Sequence, residues 1–99
     1  MKAEALLRGG NAAGGLALVN ELRGLRKAKP LTALDLNSMH KERGLELYWE
    51  GIARIDEIRF GKFNVKYQDM NNLEPHTVLF PIPSLAVGSN VNLKQNTGY

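Results

Sequence analysis

Apolar side chains recur every three and four positions through residues 45–58. Leu45, Tyr48, Ile52 and Ile55 make one row, and Leu47, Gly51, Ile55 and Ile58 an adjoining one. That period is the helical one, so the spacing predicts an α-helix with a broad apolar face that needs a partner. Trp49 falls toward the Leu45 and Ile52 side and is expected in the core. Opposite charges repeat on the same run: Glu50 precedes Arg54 by four, Arg43 precedes Glu46 by three, and Asp56 precedes Arg59 by three. Each spacing sets the two charges side by side on a helix. Glu42, Glu46 and Glu50 share a row and would repel one another, so basic groups from this or another segment are expected against them. Gly44 and Gly51 are soft points, with Gly51 the expected kink or break.

The preceding chain reads as support for that stretch. Residues 3–8 form a helical stub ended by Gly9 and Gly10, short enough to suggest truncation. Asn11 is a good N-cap for a second helix, striped by Leu16, Val19 and Leu22 with Leu18 and Leu25 beside them. Gly14 and Gly15 weaken its first turns by about 1 kcal/mol each relative to Ala, which makes sense if another helix packs closely there. Helix, Gly-Gly-Asn turn and Ala-rich helix is the pattern of a tetratricopeptide-like hairpin, a unit that normally stacks on neighbours. Pro30 then breaks the chain. Asp35 caps a third helix, with Leu36, Met39 and Arg43 on one side, that runs into the organising stretch.

Beyond Phe63 the periodicity stops. Residues 64–75 read as a loop carrying Val65, Tyr67, Met70 and Leu73. Residues 77–83 are apolar and β-prone, but Pro81 and Pro83 cannot donate to a ladder, so this segment should pack as an edge strand or extended piece. Ser84 can cap a short helix through Val87, ended by Gly88. The tail, anchored by Val91, Leu93 and Tyr99, is expected to fold back or fray. The fold class is therefore mainly α: a tetratricopeptide-like helical hairpin plus a third, kinked helix, with an irregular extended C-terminal third. Residues 1–99 form a single domain, helical over 1–63 and mostly loop and extended over 64–99.

Composition narrows the function little. The 99 residues carry 13 Lys and Arg against 10 Asp and Glu, and the hydrophobic fraction of 43% is ordinary for a globular chain. The one basic cluster, Arg23, Arg26, Lys27 and Lys29, sits where cations offset a helix dipole, and no aromatic residues interleave with it, which argues against nucleic acid. Without cysteine there is no disulfide, thiolate zinc site or thiol nucleophile. No apolar run approaches the roughly 20 residues that cross a bilayer, and the start lacks a signal-peptide apolar core.

Candidate chemistry is correspondingly sparse. His40 and His76 have no second ligand at helical spacing, so no metal is expected. Ser38, Ser84 and Ser89 lack the glycine frame of a nucleophile elbow, and no Gly-Lys-Ser/Thr follows the paired glycines. Glu42, Glu46, Glu50, Asp56 and Glu57 could supply the carboxylate pair of a glycosidase, about 5 to 10 Å apart. Their interleaving with Arg43, Arg54 and Arg59 favours ionised, satisfied carboxylates, the opposite of a raised-pKa acid. No catalytic, cofactor or metal residue is assigned, and the ligand-binding residues stay unknown. Tyr48 and Trp49 could stack on a sugar; Tyr67 and Tyr99 are freer but unsupported.

Four blocks in order carry a family resemblance: residues 3–11, residues 18–23, the set Glu42, Arg43, Glu46, Leu47, Glu50, Gly51, Arg54, Asp56 with residues 59–62, and residues 79–83 with 92–96 and terminal Gly98 and Tyr99. Together they resemble the C-terminal segment of the SusD/RagB family, surface glycan-binding lipoproteins of Bacteroidetes nutrient uptake. Val91 and Thr97, where that family usually has prolines, and Ile52 and Ile55, where bulkier residues are common, depart from its pattern. The resemblance implies a C-terminal fragment of a larger, tetratricopeptide-built protein. That protein would be held at the cell outer membrane by an N-terminal lipid outside this chain, and would bind oligosaccharides without cleaving them. It would also act as lid on a TonB-dependent, SusC-like transporter. The alternative is a free-standing tetratricopeptide-like protein-interaction module.

Overall fold

The computed structural model describes residues 1–65 and 74–99. Among these the chain forms five α-helices and one 3₁₀ turn and no strand, in keeping with a mainly α fold. The helices are α1 (Lys2–Arg8), α2 (Ala12–Leu25), α3 (Leu36–Glu46), α4 (Ala53–Arg59) and α5 (Ser84–Ser89). Two compact units result, Met1–Asp56 and Glu57–Tyr99. Tyr67, Met70 and Leu73 lie outside the described residues.

In the first unit α1 and α2 pack as the expected hairpin. The stop of α1 satisfies its last carbonyls through Asn11 N to Leu6 O (2.8 Å) and Gly10 N to Leu7 O (3.1 Å), with Gly10 in the left-handed region at φ 86°. This is the Schellman arrangement, and glycine takes that φ without the usual Cβ cost. The Asn11 side chain then caps α2 by accepting from Gly14 N at 2.8 Å. α2 ends on the same motif with Lys27 at φ 56° in the glycine's place.

Past Pro30 the chain is extended and borrows a partner from α2. The Asn20 amide donates to Leu31 O at 2.9 Å, and its Oδ1 accepts from Leu31 N at 2.7 Å, so a side-chain amide replaces a strand. Asp35 caps α3 as expected, in a reciprocal box with Ser38: Ser38 N donates to Asp35 Oδ1 (2.7 Å) and Asp35 N to Ser38 Oγ (2.8 Å). Val19, Leu34 and Met39 are the buried apolar side chains of the unit, with Gly15 buried against them.

The single apolar face expected through residues 45–58 does not form. α3 stops at Glu46 and α4 starts at Ala53, with Trp49 (φ 66°) and Gly51 (φ 73°) both left-handed between them. The turn rotates the two halves of the pattern apart, leaving Leu45, Tyr48 and Ile55 exposed. Gly51 is thus part of the expected break, which takes the form of a whole turn and divides the third helix in two.

In the second unit the tail folds back onto residues 79–82. Ile82, between two prolines, donates its N–H to Gln95 Oε1 and accepts from Gln95 Nε2, both at 2.8 Å. Asn96 Nδ2 donates to Phe80 O (2.7 Å) and the Tyr99 hydroxyl to Leu79 O (2.8 Å). The apolar segment therefore pairs after all, through side chains. Gly98 (φ 100°) lies so close beneath His76 that a Cβ would sit 2.5 Å from its Cγ, and the His76 and Tyr99 rings meet edge to face at 4.7 Å. Val91, expected as an anchor, is exposed. Sequence reading missed the 3₁₀ turn Pro75–Val78, where proline holds a first position that needs no donor.

Candidate functional site

Three buried charged side chains lie together in the first unit. Arg43, on α3, points inward from the Met39 side and meets Asp56 at the end of the unit with two parallel bonds, Nε to Oδ2 at 2.7 Å and Nη2 to Oδ1 at 2.9 Å. Its Nη1 lies 3.4 Å from Glu4 Oε2 on α1, and Glu4 Oε1 in turn accepts from Arg8 Nε at 2.9 Å. All three groups are about 95% removed from solvent, and among the described residues no buried side-chain polar atom lacks a partner. A guanidinium suits this place because its planar fork matches a carboxylate and still leaves donors for a second one.

The expected pairing of Arg43 with Glu46 is therefore corrected: Arg43 turns inward, and Glu46 is taken by another arginine. Arg26 reaches it with Nη2 to Oε1 at 2.6 Å, and Arg23 Nη1 meets Glu42 Oε1 at 2.5 Å. These are the basic groups the like-charged row called for, supplied by the last turn of α2 and by its C-cap residue. Glu50, the row's third member, forms no ion pair among the described residues, so the expected Glu50–Arg54 pair is absent. His40 belongs to the first unit and His76 to the second, and no three His, Asp or Glu among the described residues gather as metal ligands. Of the five carboxylates considered for a glycosidase pair, Glu42, Glu46 and Asp56 are each held by an arginine.

The Arg26 hydrogen bond holds the Glu46 carboxyl below its usual range, and the same bond raises Arg26. The Ser38 backbone N–H, and then its hydroxyl, hold Asp35 down likewise. Depressed folded-state values mean that this stability is fully present above the ordinary carboxylate range and is lost as pH falls through the folded-state values. Thermal unfolding followed from neutral pH into the acid range is expected to show falling stability. Asp35→Asn, which keeps a capping acceptor, should flatten part of that slope without loss of the helix at pH 7.

The turn between α3 and α4 carries the other feature of the site. Trp49 is 88% exposed and Tyr48 74%, their rings edge to face at 6.0 Å with planes 85° apart. This overturns the expectation of a core tryptophan. The physical reason is the left-handed φ of 66°, which turns the indole away from the α3 face. A non-glycine residue there costs about 1–2 kcal/mol, so the bend needs support. Arg43 and Asp56 flank it in sequence, and their paired bonds close it. Periodicity could not reveal this; the one signal was a charged residue, Arg43, on the Met39 side of α3, where a lone charge demands a buried partner.

Compared with known proteins, the chain matches no family model. It is similar to a segment of the starch-binding protein SusD of Bacteroides thetaiotaomicron, 34% identical over 112 aligned positions that take in 99% of this chain and 19% of that protein. The chain thus spans about one fifth of the length of the relative it matches.

Proposed function

We propose that this chain is the scaffold segment of a SusD/RagB-like outer-membrane lipoprotein, which captures oligosaccharides and delivers them to a TonB-dependent transporter. The observation that carries this reading is the similarity to a starch-binding protein along 99% of the chain. Residues 1–99 act as one domain of the larger protein in this reading. The buried Glu4–Arg43–Asp56 cluster gives the segment its part: it ties α1, α3 and the start of α4 into a rigid base. Its carboxylates are both paired with the Arg43 guanidinium, which suits a structural role.

In this reading a lipid attaches the protein to the membrane; no helix among the described residues is long and apolar enough to cross one. An antibody to this chain, applied to fractionated cells of its source, should find the native polypeptide in the outer-membrane fraction and retained on immobilised amylose or another glycan. Recovery from the cytosol with no glycan retention would overturn the proposal in favour of a tetratricopeptide-like interaction module.

A further inference from the structure

The Tyr48–Trp49 corner has no structural duty in the first unit. Both rings are exposed, they sit at right angles, and they project from a bend closed by the two Arg43–Asp56 bonds. A flat side chain as large as indole is held in a backbone conformation that glycine or asparagine would occupy more readily. Strain retained at an exposed position, on a rigid base, is the arrangement of a preorganised contact. The next residue, Glu50, is exposed and free of ion pairs among the described residues, so its carboxylate can accept hydrogen bonds.

The geometry points to a carbohydrate subsite here: the indole face of Trp49 stacks on the C–H face of a pyranose ring, Tyr48 forms the side wall, and Glu50 accepts from ring hydroxyls. This rests on the glycan-binding reading above and deepens it by naming a contact within the scaffold segment. A sugar fits where an apolar peptide fits less well, because the corner joins one flat apolar face to a phenol hydroxyl and an exposed carboxylate. A pyranose presents that same alternation of C–H face and hydroxyl rim.

Trp49 is the one tryptophan of the chain, so its indole N–H gives a single resonance in an NMR correlation spectrum. Titration of the 99-residue chain with maltoheptaose is expected to move that resonance saturably at millimolar ligand, with saturation transfer to the sugar. Trp49→Gly suits the left-handed backbone and should keep the circular dichroism and melting profile while weakening binding about tenfold. Trp49→Phe should retain part of it. Undiminished saturation transfer in Trp49→Gly would sink this subsite while leaving glycan binding intact. No transfer with the parent chain would also sink it, and amylose retention of the native protein would then decide the wider reading separately. Broadening of the Trp49 resonance with protein concentration, without response to sugar, would assign the corner to a second copy and overturn the inference.

Discussion

Arg43→Met is expected to cost about 3–5 kcal/mol, the range for removing one member of a buried ion pair. Total stabilities of small domains are about 5–15 kcal/mol, so this one change should leave the chain near the edge of unfolding. The loss arises because methionine roughly fills the arginine stem's volume but leaves the Asp56 and Glu4 carboxylates buried without the guanidinium that met both. Glu4 keeps Arg8, so the loss of the two parallel bonds at Asp56 carries most of the effect. Urea unfolding followed by circular dichroism measures it. Arg26→Met should be close to neutral in the same assay, because its partner Glu46 stands at the surface, where exposed pairs contribute little.

Gly15→Val is expected to lower stability by about 1–3 kcal/mol through overpacking. A Cβ at Gly15 would lie 2.8 Å from Ala3 O and 3.1 Å from Leu34 Cδ2. The first contact is a backbone atom of α1, which can move only by opening the hairpin. At about 4–8 °C per kcal/mol for a domain of this size, the melting midpoint should fall by several degrees or more. Gly24, also in α2, has no heavy atom within 4 Å of a built Cβ. Gly24→Ala should therefore stabilise by up to about 1 kcal/mol through helix propensity, and a calorimetric comparison of the two separates close packing from propensity.

What the sequence made legible was local. Asn11 and Asp35 act as the caps their side chains suggested, Gly10 ends α1, and Pro30 ends the helical run, since each depends on backbone chemistry within a few residues. One long-range feature was also readable. Three glutamates on one row required cations, and Arg23 and Arg26 supply two of them.

The candidate site was not legible, for a definite reason. Helical periodicity persisted through residues 47–52 although the backbone reverses sense at Trp49 and Gly51, so a pattern blind to φ ran two helices into one. The error placed Trp49 inside and gave Arg43 a neighbour on its own helix, when its partners lie 13 positions ahead and on α1. The tail was half legible. Tyr99 anchors it, but the pairing of Gln95 with Ile82 substitutes a side-chain amide for a peptide, and no strand pattern announces that.

The buried cluster links these observations to function. It joins α1 and α3, closes the bend that presents Tyr48 and Trp49, and pairs both of its carboxylates with one guanidinium. A double-mutant cycle between Arg43→Met and Asp56→Leu, read by urea unfolding, tests that linkage most directly. Coupling of at least about 1.5 kcal/mol is expected, the double variant recovering much of what either single variant loses. Additive losses, or single variants as stable as the parent, would contradict a clasp between these two side chains.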